Sequence, residues 1–309
     1  MSLDPQVQTY LDQLASLHFP QLHTFTPEQA RQGMRRQIAQ LGVPESIAHV
    51  EDRVIPGATG GIPVRIYTPE GSGPFPLLVF FHGGGFVLGD LDTHDGLCRS
   101  LANGARCLVV AVDYPLAPEH PFPAAPNACY AATQWVADHA TSLNGDASRI
   151  ALGGDSAGGN LTTVVAQMAR DQGGPALIFQ LLIYPDLDFR RTNFSIQEYA
   201  GKYGNITREG QHWFMDQYLT SPDEKLKPQV SPLLEPNLRG LPPALIITAE
   251  YDALRDEGEQ YGQRLKEAGV PVTISRYQGM IHEFVRHPFD QSQQARVEAA
   301  TALQKAFAL

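Results

Sequence analysis

The segment Gly153-Gly154-Asp155-Ser156-Ala157-Gly158-Gly159-Asn160 constrains this chain more than any other, because it joins two runs of opposite periodicity. Ser148-Arg149-Ile150-Ala151-Leu152 reads as a short buried strand, and Leu161 to Ala169 reads as a helix. Ser156 therefore falls on a strand-to-helix turn in G-x-S-x-G spacing, which exposes a serine hydroxyl at the end of a sheet. Gly154 and Gly158 allow the turn to be tight. The pattern alone is short enough to arise by chance, so its context carries the argument. That context includes the upstream run Phe80-Phe81-His82-Gly83-Gly84-Gly85-Phe86, whose backbone amides can approach an anionic oxygen with no Cβ in the way. Together the two elements predict a serine nucleophile facing an oxyanion loop.

The rest of the chain supplies a matching frame. Ile62, Val64 and Ile66 alternate as a strand does, and apolar runs follow at Leu77 to Phe81, Leu108 to Val112, Ile150 to Leu152, Ile178 to Ile183, Leu245 to Thr248 and Val272 to Ile274. Helical stretches lie between them, at Asp95 to Asn103, Ala124 to His139, Ala157 to Asp171 and Asp256 to Ala268. Such alternation predicts a mostly parallel sheet with helices on both faces. Ahead of it, Val7, Leu11, Leu14, Met34, Ile38 and Leu41 have helical spacing, interrupted by Pro20 and by the helix-start signal Thr26-Pro27-Glu28-Gln29. Two or three short helices outside the sheet are expected there. Between Asp186 and Pro232 the rhythm breaks, and Phe189, Phe194, Tyr199, Tyr203, Trp213, Phe214, Met215 and Tyr218 make the insertion rich in aromatics.

With these motifs and Asp113-Tyr114-Pro115-Leu116-Ala117-Pro118-Glu119-His120, the chain resembles the hormone-sensitive lipase family of α/β-hydrolases, in its bacterial branch with a GDSAG elbow. The resemblance covers residues 62–285 and extends more loosely into the N-terminal segment. Pro115 departs from the family's DYRLAPEH, which touches the loop's support and not the chemistry. The resemblance implies the α/β-hydrolase fold, with a mostly parallel central sheet, helices on both faces and a helical cap. On that basis residues 1–50 are the N-terminal helical part of the cap, 51–185 the first part of the core, 186–232 the cap insertion and 233–309 the second part of the core.

A serine hydroxyl is a poor nucleophile near neutral pH and needs a base, with a third group to orient that base. In this fold the chain order is Ser, then Asp or Glu, then His. Asp252, just past the run Ala244 to Ala249, and His282, on a glycine-containing loop after a further strand, satisfy that order. Their rivals are Asp256 and Asp186, which also stand near strand ends, and His287, which precedes Pro288 outside the pattern. The family motifs are DPL and GxxHGF; this chain has Asp252-Ala253-Leu254 and His282-Glu283-Phe284, departing at neighbours of the expected catalytic positions. Glu283 raises the pKa of His282 if its carboxylate turns toward the ring. By resemblance Gly83 and Gly84, with Ala157, donate to the oxyanion, His82 fixes the loop, and Asp155 has a local hydrogen-bonding role.

Composition narrows the partners. A formal charge of −10, with no basic patch, disfavours a nucleic acid, whose binding depends on clustered Lys and Arg. Hydrophobic residues at 43% and charged ones at 18% suit a folded core and not a disordered chain. Cys98, Cys107 and Cys129 have neither a disulfide framework's even count nor a metal-ligand spacing, and the ten histidines show no H-x-x-x-H pattern, so no metal is expected. The first residues lack a basic n-region and an apolar h-region, and no stretch reaches the roughly 20 apolar residues of a membrane span, so a cytoplasmic protein is expected.

The resemblance thus implies a carboxylesterase that cleaves short- to medium-chain carboxylic esters through an acyl-enzyme, without a cofactor. An amidase or arylformamidase-type hydrolase would use the same machinery. Plant hormone receptors resemble the family but have lost the histidine of the triad, and His282 argues against that reading. Interfacial lipase action is disfavoured by the lack of a markedly apolar lid segment. The motifs leave monomer or homodimer open, and the physiological ester with it.

Overall fold

The computed structural model describes residues 2–17, 20–38, 43–57, 60–203 and 206–308. In chain order the elements are helices α1 (Pro5–Ser16) and α2 (Pro27–Ile38), then strands β1 (His49–Gly57), β2 (Gly60–Thr68) and β3 (Phe75–Phe81). Helix α3 (Asp95–Ala105), strand β4 (Leu108–Val112), helix α4 (Ala124–His139), strand β5 (Gly145–Asp155), helix α5 (Ala157–Gln172) and strand β6 (Phe179–Ile183) come next. Then come helices α6 (Phe194–Tyr199) and α7 (Arg208–Tyr218), strand β7 (Ala244–Ala249), helix α8 (Arg255–Glu267), strand β8 (Val272–Tyr277) and helix α9 (Asp290–Phe307).

Among the described residues eight strands form one sheet in the order β1-β2-β4-β3-β5-β6-β7-β8. Strands β4 to β8 with β3 are mutually parallel, whereas β1 pairs antiparallel with β2 and β2 antiparallel with β4. The sheet is thus mostly parallel, as expected. Every residue of β3 and β4 is buried, because helices cover both faces. Successive side chains serve opposite faces: Leu77, Val79 and Phe81 pack with Leu161, Val165, Tyr261 and Leu265 of α5 and α8, while Leu78 and Phe80 pack with Leu97, Leu101 and Leu303 of α3 and α9.

Strand β1 is not foreseen from the sequence. It is an edge strand carrying Glu51, Asp52 and Arg53, so its polar residues conceal the alternation. The helix-start signal of α2 is real: Thr26 and Gln29 bond reciprocally, Gln29 N to Thr26 Oγ1 at 3.3 Å and Thr26 N to Gln29 Oε1 at 3.0 Å. Leu41, part of the expected helical pattern, lies outside the described residues. Helix α2 docks through Arg31, which donates to the carbonyls of Val87 (2.8 Å) and Ala117 (2.8 Å) and pairs with Glu119 (2.7 Å). Helix α1 docks elsewhere, with Tyr10 against the ring of His287 at 4.6 Å and Val7 buried. Residues 186–232 carry α6, α7 and a 3-10 turn at Pro222–Leu226. The three cysteines are buried and unpaired.

Candidate active site

In a parallel sheet the loops that leave the carboxyl ends of the strands gather along one edge. In register, Phe81 of β3 stands beside Gly154 of β5, Asp155 beside Ile183 of β6, Ile183 beside Ile247 of β7, and Ala249 beside Tyr277 of β8. The residues singled out in the sequence all lie just past these ends. His82 to Gly85 leave β3, Ser156 leaves β5, Asp252 leaves β7 and His282 leaves β8.

Ser156 has φ 54° and ψ −116°, a left-handed conformation rare outside glycine. The neighbouring glycines are there because backbone crowds the turn: a Cβ on Gly154 would lie 2.6 Å from the Phe81 carbonyl oxygen, and one on Gly158 would meet that same oxygen. Hydrogen bonds hold the strained residue, from Ser156 N to Ile183 O at 2.9 Å and from Asp186 N to Ser156 O at 3.1 Å.

The structure brings Ser156, His282 and Asp252 into one chain of hydrogen bonds. His282 Nε2 lies 2.9 Å from Ser156 Oγ, and His282 Nδ1 lies 2.7 Å from Asp252 Oδ2. Asp252 is buried and its Oδ1 accepts the Leu254 amide at 2.8 Å, which fixes the carboxylate ahead of α8. Burial works against a charged His282, but the charge and hydrogen bond of Asp252, with smaller contributions from Glu283 and Asp155, outweigh it and raise its pKa. Such an arrangement can take a proton from the serine and hold it on an imidazolium.

The rivals are engaged elsewhere. Asp256 accepts the Ser195 amide at 2.9 Å and pairs with Arg255 at 2.7 Å; Asp186 pairs with Arg191 at 2.7 Å. His287 stacks on Phe289 at 5.2 Å under α1, and burial pushes its pKa down to about 4.

The glycine loop departs from the expectation in one respect. The Gly83 amide, expected to face an oxyanion, instead donates to Asp155 Oδ1 at 2.8 Å. Gly83 is required for that approach, since a Cβ there would sit 2.7 Å from Asp155 Oδ2. Among the described residues no acceptor takes the amides of Gly84, Gly85 or Ala157. Gly84 and Gly85 both have positive φ, 124° and 62°, so the loop turns in a way open to glycine. His82 is buried and stacked on Tyr114 at 4.3 Å; burial and His94 push its pKa down to about 4, and its Nδ1 donates to Gly83 O at 2.8 Å. Tyr114 in turn donates to His82 O at 2.7 Å.

Aromatic side chains wall this region. Phe86 stacks on Tyr218 at 4.0 Å, Phe189 lies 5.9 Å from Phe86, and a Cβ on Gly85 would collide with the ring of Phe214. Two residues beside the site are not foreseen from the sequence. His94, in the Thr93-His94-Asp95 start of α3, faces Asp155 at 3.2 Å, and Arg286, three residues past Glu283, pairs with Glu283 at 2.7 Å. Neither belongs to a spaced motif, and only the folded chain brings them to Asp155.

Comparison with known proteins identifies the fold and its relatives. A family model described as the alpha/beta hydrolase fold matches residues 78–286. The carboxylic ester hydrolase LipN of Mycobacterium tuberculosis is 46% identical over 265 residues, covering 83% of this chain and 69% of LipN. The carboxylesterase NlhH of the same species is 42% identical over 292 residues, 92% of this chain and 89% of NlhH. The crystal structure of a thermostable esterase from Pseudomonas putida superimposes with a TM-score of 0.96 at 38% identity, over 100% of this chain and 98% of that one. Its elbow, its strand order and these relatives agree: the chain belongs to the α/β-hydrolase fold family.

Proposed function

We propose that this protein is a serine carboxylesterase acting on short- to medium-chain carboxylic esters. The protein is a carboxylic ester hydrolase, the class in which its relatives at 42–46% identity are named. The observation that carries the residue assignment is the continuous chain Ser156 Oγ to His282 Nε2 at 2.9 Å and His282 Nδ1 to Asp252 at 2.7 Å.

In this reading Ser156 Oγ attacks the ester carbonyl while His282 Nε2 takes its proton, and Asp252 stabilises the resulting imidazolium. The carbonyl oxygen becomes an oxyanion that accepts from the amides of Gly84, Gly85 and Ala157, the three left without acceptors once Gly83 is spent on Asp155. His82 supports the loop by its bond to Gly83 O. Collapse of the intermediate expels the alcohol, which receives the proton from His282, and leaves an acyl-enzyme. Water then attacks through the same base, the carboxylic acid leaves and Ser156 is regenerated. Each lost oxyanion donor would cost about 3 kcal/mol of transition-state stabilisation.

The helices of residues 1–50 and the insertion of residues 186–232 act as a cap on this site. Supporting this are the contact of Phe214 with Gly85 and the docking of α2 through Arg31 on the carbonyl of Val87. Phe86, Phe189, Phe214 and Tyr218 then bound an acyl pocket of limited depth, which favours short and medium acyl groups.

The test is steady-state hydrolysis of p-nitrophenyl esters together with labelling by a p-nitrophenyl phosphonate, followed by peptide mass spectrometry. The modified residue is expected to be Ser156, with loss of turnover in proportion to labelling. Turnover that persists after stoichiometric labelling of Ser156 would remove the assignment.

A further inference from the structure

Asp155, the residue directly before Ser156, is a fully buried carboxylate that no step of the reaction uses. Its Oδ1 accepts the Gly83 amide at 2.8 Å and stands 3.2 Å from His94 Nε2. His94 is itself fixed, since its Nδ1 lies 2.9 Å from Thr93 Oγ1 and the Thr93 hydroxyl donates to Asp90 O at 2.8 Å. On the other side, Arg286 Nε lies 3.9 Å from Asp155 Oδ2, while Arg286 Nη2 donates to Glu283 at 2.7 Å. Arg286 belongs to the turn that carries His282. One carboxylate therefore touches the loop after β3, the start of α3 and the turn after β8, and is covalently joined to the elbow.

Burial of a carboxylate without compensation is costly, so this group persists because its partners supply what water would. Burial raises its pKa, but His94, Arg286 and the Gly83 amide outweigh it and hold Asp155 ionised. The geometry is consequential because the amide of Gly84 is one peptide away from the anchored Gly83. A displacement of Asp155 shifts Gly84 and Gly85 relative to Ser156 Oγ, and misplacement by about 1 Å costs about 10²-fold in rate.

We propose that Asp155 is the joint that sets the oxyanion loop against the serine elbow, and that His94 and Arg286 are positioning residues acting through it. The consequence for catalysis rests on the proposed esterase activity; the anchoring of Gly83 does not.

The experiment compares wild type with His94→Leu, His94→Gln and Arg286→Met. Gln keeps a donor near the Nε2 position, whereas Leu removes it. Three measurements are made: kcat and KM for p-nitrophenyl butyrate per titrated active site, inhibition by an alkyl trifluoromethyl ketone, and hydrogen exchange at the Gly83 amide with α9 as the reference. In His94→Leu, kcat should fall about 10- to 100-fold with KM within twofold, in line with a displaced loop. Affinity for the ketone should fall by the same factor, and Gly83 should exchange at least about tenfold faster while α9 is unchanged, as local loosening requires. His94→Gln should recover most of each effect, and Arg286→Met should move all three in the same direction by less. An unchanged kcat and unchanged Gly83 exchange in His94→Leu would overturn the proposal, as would faster exchange spread equally over α9. If wild type hydrolyses no ester, the esterase reading fails, and exchange at Gly83 alone then decides whether His94 anchors the loop.

Discussion

Glu283 turns its carboxylate onto Arg286 at 2.7 Å, and so stands beside the His282 imidazole without bonding to it. The family motif has glycine at this place, and Glu283 indeed adopts φ 66°, the left-handed conformation that favours glycine. This chain therefore accepts backbone strain at a position that keeps a charge next to His282.

That charge should be visible in the pH profile. Asp252, then Glu283 and Asp155, raise the pKa of His282 against the opposing effect of burial. A base acts only when neutral, so kcat/KM should rise with pH through a value above the ordinary imidazole pKa of about 6.5. Glu283→Gln removes one raising contribution and should move this acid limb to lower pH. The same linkage has a stability sign: the bonded imidazolium stabilises the fold below the unfolded pKa, and this contribution is lost as pH rises through the raised folded value. Measurement of kcat/KM between about pH 5 and 9 checks the shift; a limb that stays in place in Glu283→Gln would show that Arg286 fully neutralises the carboxylate.

Asp252→Asn should lower kcat by up to about 10⁴ with KM little changed, because the amide favours the wrong histidine tautomer. Asp256→Asn should act mainly on stability, through its bonds to the Ser195 amide and Arg255. Kinetics and thermal melting of the two variants separate these roles. A crippling loss of kcat in Asp256→Asn would move the acid to that residue.

The strand-to-helix turn should also limit stability. Ser156→Ala removes the nucleophile but keeps a Cβ at φ 54°, so the strain remains. Ser156→Gly relieves it, gaining about 1–3 kcal/mol against about 0.5–1 kcal/mol of added chain entropy in the unfolded state. Both variants should be inactive, and the glycine variant should be the more stable by about 1 kcal/mol in urea unfolding. Equal midpoints would indicate that the hydrogen bonds at Ser156 N and O, and not its conformation, set the local energy.

Much of the fold can be read from the sequence because the inner strands are buried on both faces. Strand β4 and helix α4 begin and end where the apolar run and the helical periodicity say they should. Strand β1 escapes because an edge strand in the antiparallel hairpin tolerates Glu51, Asp52, Arg53 and Pro56. At the site, Ser156, Asp252 and His282 are recognisable because each comes after a strand, and strand ends converge in a parallel sheet. The commitment of Gly83 is not recognisable in that way. A glycine run states where backbone can turn, but which amides remain open depends on Asp155, and its partners His94 and Arg286 come from distant elements.

A cap built from both helical segments should set the acyl-chain preference. Helix α2 holds Val87, which follows the glycine loop, through Arg31, and α1 packs Tyr10 on the ring of His287. From the aromatic insertion, Phe214 lies against Gly85. In a pocket bounded this way each added CH₂ of the acyl chain should improve binding by about 0.8 kcal/mol, roughly fourfold, only until the pocket is full. The optimum should therefore fall at short to medium chains. Deleting residues 1–40 removes the buried Val7 and the docking bonds of Arg31, so stability should fall by at least about 2 kcal/mol while the bonds among Ser156, His282 and Asp252 persist. Phe214→Ala should enlarge the proposed pocket and extend the optimum toward longer chains with little loss on acetate. Kinetics on p-nitrophenyl esters from acetate to palmitate, for wild type, the truncated chain and Phe214→Ala, measure all of this. A profile that is the same in all three would mean that neither segment shapes the acyl pocket.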